Sequence, residues 1–273
     1  MPARRAFLTM AAALTGIASL PGGLSAAPAS RLIAGPWQQT GGGDGPDHAA
    51  WAAVLSNHWR LGQDGIARID YAAIKADIAP LRTYVAMLEG TDPRSLNAAA
   101  QMAFWINLYN ALTVRLVAEA WPVRSIRSVK GGLFGLGPWD ETLLSVAGRG
   151  LSLDDIEHGI LRPIFRDPRI HYAVNCAALG CPNLAGRPFT AQALEAMLEA
   201  NATAFINHPR GVRVADGRLT VSSIFHWFKE DFGGTDAGVI AHLQRYAAAP
   251  LAAALAGRSR IDDHAYDWDV NAA

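Results

Sequence analysis

The longest apolar stretch of the chain, from Leu96 to Trp121, constrains the fold most strongly. Pro122 closes it, because proline has no backbone N–H and does not continue a helix. The stretch is apolar nearly all round, and a helix of that kind is typically buried in a core. The sequence therefore predicts a central helix around which the other elements pack.

Two asparagines interrupt this apolar helix. At about 100° per residue, Asn107 and Asn110 fall on one narrow face together with small residues. Each buried amide must find hydrogen-bond partners or destabilise the fold by about 1–3 kcal/mol. Two interpretations are open: the asparagines tie the helix to a neighbouring segment, or they belong to a binding site.

The stretch Arg169 to Pro182 concentrates polar chemistry, since it holds a histidine, an asparagine and both cysteines of the protein. Apolar residues alternate from Ile170 to Asn175, which predicts a buried strand. Gly180 and Pro182 predict a turn after it. Because binding and catalytic groups are common where a rigid element gives way to a loop, we expect the site here.

A short helix is predicted between Ser152, which caps it, and Pro163, which ends it. Glu157 falls within the apolar stripe of this helix, while His158 and Arg162 fall on its polar side. A carboxylate on the core-facing side must be paired, hydrogen-bonded or protonated. Glu157 is therefore a candidate site residue.

The two cysteines, Cys176 and Cys181, have three interpretations. The first is a structural disulfide, which an oxidising compartment favours. The enclosed loop is short, so the bond would add only about 2 kcal/mol of stability.

The second interpretation is nucleophilic catalysis. Cys176 would be the thiolate, His171 its base, and Glu157 the group that orients the imidazole. His171 and Cys176 would face opposite ways on a straight strand, so this arrangement needs a bend or bulge.

The third interpretation is a metal site built from Glu157, His158, His171 and a cysteine. Glu157 and His158 are adjacent and point about 100° apart on a helix, which hinders joint ligation. We therefore assign no metal and no cofactor.

Charge and length narrow the class of protein. The 273 residues carry 24 basic and 24 acidic side chains, and removal of a leader containing Arg4 and Arg5 makes the rest slightly acidic. That balance argues against a nucleic-acid partner, which requires a dense basic surface. No later stretch reaches the roughly 20 apolar residues of a membrane span.

The first 29 residues have the pattern of an export signal. Arg4 and Arg5 precede an apolar run from Phe7 to Leu20, and cleavage is expected after Ala26 or Ala29. The paired arginines resemble the twin-arginine motif, which implies export of a folded protein to the periplasm or the medium. A retained membrane anchor is the alternative.

Residues 30–47 are rich in glycine and proline, which predicts a flexible linker to a single domain at 48–273.

Five blocks in this order resemble domain-of-unknown-function family 547. The blocks are Ala103–Leu112, Leu151–Arg162, Asp167–Pro182, Ser222–Phe232 and Tyr266–Asn271. The resemblance implies one domain, often exported in bacteria, without an established activity. It places in motif positions Asn107, Asn110, Glu157, His158, Arg162, His171, Asn175 and Cys176.

The sequence predicts an α+β fold: a helix-rich single domain with a small mixed or antiparallel sheet that contains the strand at 170–175. The favoured function is a pocket of the hydrolase or acyl-transferase type for a small molecule or peptide. Its catalytic residues would be Glu157, His171 and Cys176. Its binding residues would be Asn107, Asn110, His158, Arg162 and Asn175. The alternative is a non-catalytic binding module stabilised by a Cys176–Cys181 disulfide.

Overall fold

A 23-residue helix, Ala98–Ala120 (α4), lies at the centre of the computed structural model, which describes residues 28–129 and 137–273. Asn97 begins this helix, because its side chain accepts a hydrogen bond from the backbone N–H of Ala100. Every residue of α4 from 100 to 114 is buried. The predicted central helix is confirmed.

The remaining α-helices are shorter. Three precede the central one: α1 (Ala49–His58), α2 (Tyr71–Ala76) and α3 (Ala79–Glu89). After it the described residues contain α5 (Arg162–Phe165), α6 (Ile170–Ala173), α7 (Leu194–Ile206), α8 (Ile224–Trp227), α9 (Asp236–Tyr246) and α10 (Ala249–Leu255).

The strands are short and form three small sheets. Two are antiparallel hairpins: β1 (Trp59–Leu61) with β2 (Ala67–Ile69), and β3 (Leu144–Val146) with β4 (Arg149–Leu151). The third joins β5 (Val212–Ala215), β6 (Arg218–Ser222) and β7 (Asp263–Ala265), antiparallel for the first pair and parallel for the second. The predicted helix-rich α+β single domain is confirmed, with one mixed sheet.

Two clusters of buried apolar side chains make up the core. The larger surrounds α4, and the smaller joins α7, β5, β6, α8 and α9. Residues of both clusters, Tyr109 of the first and Ile224 of the second, line one cavity. The cavity therefore lies where the two parts of the core meet.

The predicted strand at 170–175 is wrong. Residues Ile170–Ala173 form one helical turn, α6, and only Val174 beyond it is extended. Asp167 promotes the turn, because its carboxylate accepts a hydrogen bond from the backbone N–H of Arg169 at 2.8 Å. Every residue from 170 to 175 is buried. Burial on all sides makes a short apolar run ambiguous between strand and helix.

The helix after Ser152 differs from the prediction in its geometry. The capping box is confirmed, since the backbone N–H groups of Ser152 and Asp155 each donate to the other's side chain. The segment Asp155–Leu161 is a π-helix that runs directly into α5, so Pro163 does not end it. Pro163 lies in the first turn of α5, where its missing N–H is tolerated.

The π-helical turn also changes which side chains are buried. His158 is 7% exposed and Arg162 is 4% exposed, so their placement on a polar outer side is wrong. The backbone N–H of Arg162 bonds to the carbonyl of Glu157, five residues back. This wider turn puts the side chains of Glu157, His158 and Arg162 on the inside.

Residues 30–47, predicted as a flexible linker, are mostly exposed but contact the domain at several points. Trp37 is fully buried against Trp105, with ring centroids 5.5 Å apart. Gly41 donates its backbone N–H to Leu96 at 2.7 Å. A Cβ at Gly41 would lie 2.5 Å from the carbonyl oxygen of Ser95. The glycines serve close backbone approach here.

Candidate functional site

A cavity of about 340 Å³ collects most of the predicted site residues. The ionisable side chains that line it are Tyr109, Arg127, Asp154, Glu157, His158, His171, Cys176, Cys181 and Tyr266. The π-helix, the segment 171–182, α8 and the C-terminal tail supply most of the lining. Glu157 and His171, which the sequence reasoning placed in one cavity, both line it.

Two carboxylates flank the imidazole of His171, which lines this cavity. His171 donates from Nε2 to Asp231 Oδ2 at 2.7 Å, and its Nδ1 lies 3.6 Å from Glu157 Oε1. Phe228 stacks on the imidazole, with ring centroids 4.2 Å apart. His171 is therefore fixed in orientation by three neighbours.

The carboxylates stabilise the protonated form of His171. Burial alone would lower the pKa of His171, but hydrogen bonds to Asp231 and Glu157 outweigh burial and raise it. Burial alone would raise the pKa of Glu157, but the neighbouring imidazoles and the Arg162 guanidinium lower it to about 2. Glu157 is therefore ionised at neutral pH.

Arg162 joins the same buried network. Its Nε donates to Asp231 Oδ2 at 2.6 Å, and its Nη2 donates to Glu230 Oε1 at 2.8 Å. Its Nη1 lies 3.2 Å from His158 Nδ1, and since arginine only donates, that nitrogen accepts. Burial also lowers the pKa of His158. When His158 is neutral it therefore carries its proton on Nε2, and the groups that lower the pKa of Glu157 are His158, His171 and Arg162.

Asp154 is a site residue that the sequence reasoning missed. Burial, followed by the negative charge of Glu157, raises the pKa of Asp154 to about 7. Its Oδ1 lies 3.7 Å from His158 Nε2. The signal in the sequence was its position three residues before Glu157, because residues three apart on a helix are neighbours.

The two thiols share a tyrosine hydroxyl. Tyr266 Oη donates to Cys181 Sγ at 3.0 Å and lies 3.1 Å from Cys176 Sγ. Both cysteines are unbonded in the structure, and no hydrogen bond joins Cys176 to His171 among the described residues. The imidazole that was predicted as the base of Cys176 is paired with Asp231 instead.

The thiols differ in acidity. A hydrogen bond to Cys181, followed by burial, raises the pKa of Cys176. Burial alone would raise the pKa of Cys181, but hydrogen bonds from Cys176 and Tyr266 and from the backbone lower it. The thiolate of this pair therefore forms first at Cys181, whereas the sequence reasoning had assigned it to Cys176.

Aromatic side chains from α8 and the C-terminal tail form one wall of the cavity. Trp227, Tyr266 and Trp268 lie with ring centroids 4.7–5.6 Å apart, and Trp139 lies 5.9 Å from Trp268. The guanidinium of Arg127 lies over the Trp268 ring at 5.3 Å. We call Trp227, Tyr266 and Trp268 the aromatic wall.

The buried asparagines hold the backbone around the site. Asn107 exchanges hydrogen bonds with both backbone groups of Phe189, at 2.7 and 3.0 Å. Asn110 donates to the carbonyl of Ala173 and accepts from the N–H of Asn175. Neither lines the cavity. Of the two interpretations left open, the contacts favour the one in which these amides tie the central helix to neighbouring segments.

Asn175 has a similar backbone role. Its side chain donates to the carbonyl of Pro182 at 2.8 Å and accepts from the N–H of Ala177 at 2.9 Å. It therefore closes the loop that carries both cysteines.

Within residues 28–129 and 137–273, no three His, Cys, Asp or Glu side chains are grouped so as to hold a metal ion.

Comparison with known proteins adds one finding. Residues 93–206 match the model of a family described as "Protein of unknown function, DUF547". This match covers α4, the π-helix and the cysteine loop, and it supports the family resemblance in that part of the chain. No curated protein and no solved structure matches the chain. Among the helices that the structure describes, none is long and apolar enough to cross a membrane.

Proposed function

We propose that the cavity is the active site of a hydrolase that uses Asp154 as a general acid and Glu157 as a permanently ionised carboxylate. The observation that carries this proposal is that both carboxyl groups line one cavity, where their surroundings push their pKa values in opposite directions, to about 7 for Asp154 and about 2 for Glu157. Carboxyl groups pushed apart in this way are the mark of an acid–base pair.

Each carboxyl group suits its role. Asp154 is about half protonated at neutral pH, so it can give a proton to a leaving-group oxygen. Glu157 is 7% exposed, and its Oε1 lies 3.6 Å from His171 Nδ1 and 3.9 Å from His158 Nδ1. Its carboxylate lines the cavity, where it can attack a carbon or stabilise positive charge on it. His171, Asp231 and Arg162 are positioning residues that keep Glu157 ionised.

The reaction class that uses such a pair is acid-assisted cleavage of a carbon–oxygen bond. The aromatic wall offers ring faces against which a substrate ring can stack. In this role Glu157 acts on the substrate itself, whereas the sequence reasoning gave it the part of orienting the imidazole of His171.

A panel of chromogenic glycosides and esters tests the proposal. The Asp154→Asn and Glu157→Gln variants should each lose the activity found with the wild type. Glu230→Gln is the matched control, because this exposed carboxylate also contacts Arg162. Infrared titration of the Asp154 carboxyl group gives an independent readout. No turnover together with an ordinary pKa for Asp154 would refute the proposed acid.

A second candidate is the non-catalytic binding module with a Cys176–Cys181 disulfide. The aromatic wall favours it, because cavities lined by aromatic side chains are typical of ligand sites. In that case Glu157→Gln should lower the melting temperature and leave no activity to lose.

Export by the twin-arginine route also stays a proposal. Its signal falls mainly at 1–27, outside the described residues, and N-terminal sequencing of the exported protein tests it.

A further inference from the structure

The sulfur atoms of both cysteines meet at one hydroxyl group. Cys176 Sγ and Cys181 Sγ lie 3.1 and 3.0 Å from Tyr266 Oη, and the backbone N–H of Cys176 also donates to Cys181 Sγ at 3.0 Å. Burial raises the pKa of Tyr266, so its hydroxyl keeps its proton and can donate. The two thiols are thus held as neighbours by a residue of the aromatic wall.

The loop between the cysteines is bonded to the tail that carries this wall. The backbone N–H groups of Leu179 and Gly180 donate to the carbonyls of Asp269 and Asp267, both at 2.8 Å. A Cβ at Gly180 would lie 2.7 Å from the backbone nitrogen of Asp267. The backbones of the loop and the tail are in direct contact, so a movement of the loop shifts the tail.

The loop also contains a strained residue. Ala177 has φ +61°, a left-handed conformation that non-glycine residues rarely adopt. Asn175 holds it there, because its side-chain oxygen accepts the Ala177 N–H at 2.9 Å. Strain of this kind persists only where surrounding contacts impose it, and it is common at functional sites.

We propose that Cys176 and Cys181 form a reversible thiol–disulfide site whose oxidation changes the aromatic wall through Tyr266. The oxidant is a small disulfide that enters the cavity, which both cysteines line. In the reduced state Tyr266 bridges two separate sulfurs. In the oxidised state the sulfurs are covalently joined, the Cys176 proton is gone, and the shared hydrogen bonds are broken or rearranged.

The exchange proceeds in two balanced steps. The Cys181 thiolate attacks one sulfur of the small disulfide, and the thiolate that leaves takes up the proton that Cys181 gave up. Cys176 then loses its proton and attacks the Cys181 sulfur of the mixed disulfide. The second leaving thiolate takes this proton. The protein loses two electrons and the reagent becomes two free thiols. The lower pKa of Cys181 supports its role as the first nucleophile.

The probe is bis(2-hydroxyethyl) disulfide, added in excess to the reduced full-length protein. Thiol titration after denaturation should fall from two thiols to none, and dithiothreitol should restore both. Intact mass should show the loss of two hydrogen atoms without an attached reagent fragment. Two thiols that persist, or one stable mixed adduct, would overturn the proposed site.

Tryptophan fluorescence reports on the coupling to the wall. Oxidation should change the emission of the wild type, and the change should shrink in Trp268→Phe and in Trp227→Phe. It should remain in Trp59→Phe, since Trp59 does not line the cavity. If one of the variants Trp227→Phe and Trp268→Phe does not fold, the other alone tests the coupling. Equal spectra in both redox states, or a change that survives in the wall variants, would refute the coupling.

Discussion

Asp154 and Glu157 project from neighbouring positions of one helical segment into one cavity, yet the pKa is about 7 for the first and about 2 for the second. The positive neighbours His158, His171 and Arg162 lower the pKa of Glu157. Burial, followed by the charge of Glu157, raises the pKa of Asp154, whose Oδ1 lies 3.7 Å from His158 Nε2. One cation network therefore ionises one carboxyl group and, through it, keeps a proton on the other.

Asp154 should make the protein more stable in mild acid. Its pKa is about 7 when folded and 3.8 ordinarily, so between these values the folded state binds a proton that the unfolded chain lacks. The free energy of unfolding should therefore rise as the pH falls from about 8 to about 5. Asp154→Asn should flatten this rise in denaturant titrations. Asp77→Asn, at an exposed carboxylate, is the control and should keep the wild-type slope.

Asp231 and Glu230 provide a matched pair of changes around Arg162. Asp231→Asn leaves His171 and the buried guanidinium without their shared carboxylate, so it should reduce the free energy of unfolding by about 3 kcal/mol. Glu230→Gln removes a 62% exposed partner and should reduce it by less than about 1 kcal/mol. Chemical denaturation measures both. Equal losses would contradict the buried network.

His171 adds to this network a pH dependence of the same sign as that of Asp154. Because its folded pKa lies above the ordinary value of 6.5, its contribution is fully present below that value and is lost as the pH rises through the folded pKa. In Asp231→Asn this loss should occur at lower pH. Denaturation across the neutral range, compared with wild type, checks the shift.

Tyr266 should control the reactivity of Cys181. Its hydroxyl donates to the Cys181 sulfur and contributes to the lowered pKa of that thiol. Tyr266→Phe should therefore raise this pKa and slow alkylation by iodoacetamide at neutral pH several-fold. Peptide mass spectrometry identifies the modified cysteine. Tyr246→Phe, at a tyrosine outside the cavity, should alkylate at the wild-type rate.

Sequence reasoning located the site better than it described its structure. The central helix, the capping box and the burial of Glu157 follow from local pattern, because apolar periodicity and capping act over a few residues. The helical turn at 170–173 was missed because six consecutive buried residues carry no usable period. The π-helix was missed because no pattern of residue types marks a single widened turn.

The partners of the site residues were beyond sequence reasoning for a different reason. Asp231 lies 60 positions from His171, and Tyr266 lies 85 from Cys181, so only the fold brings these groups together. Asp154 could have been found, because its distance of three positions from Glu157 was visible. The two asparagines were correctly placed in the core, but their backbone contacts were not visible.

Trp37 should anchor the segment 30–47 to the domain. The side chain is fully buried against Trp105, and this contact, rather than the glycine-rich sequence beside it, decides how the segment behaves. Trp37→Ala should lower the free energy of unfolding by about 3–5 kcal/mol, as truncation of a buried tryptophan does. Trp37→Phe should recover part of the loss, because it keeps an apolar ring in place. Limited proteolysis should cut Trp37→Ala within 30–47 faster than the wild type. A segment that behaved as a free linker would instead be cut at the same rate in all three proteins.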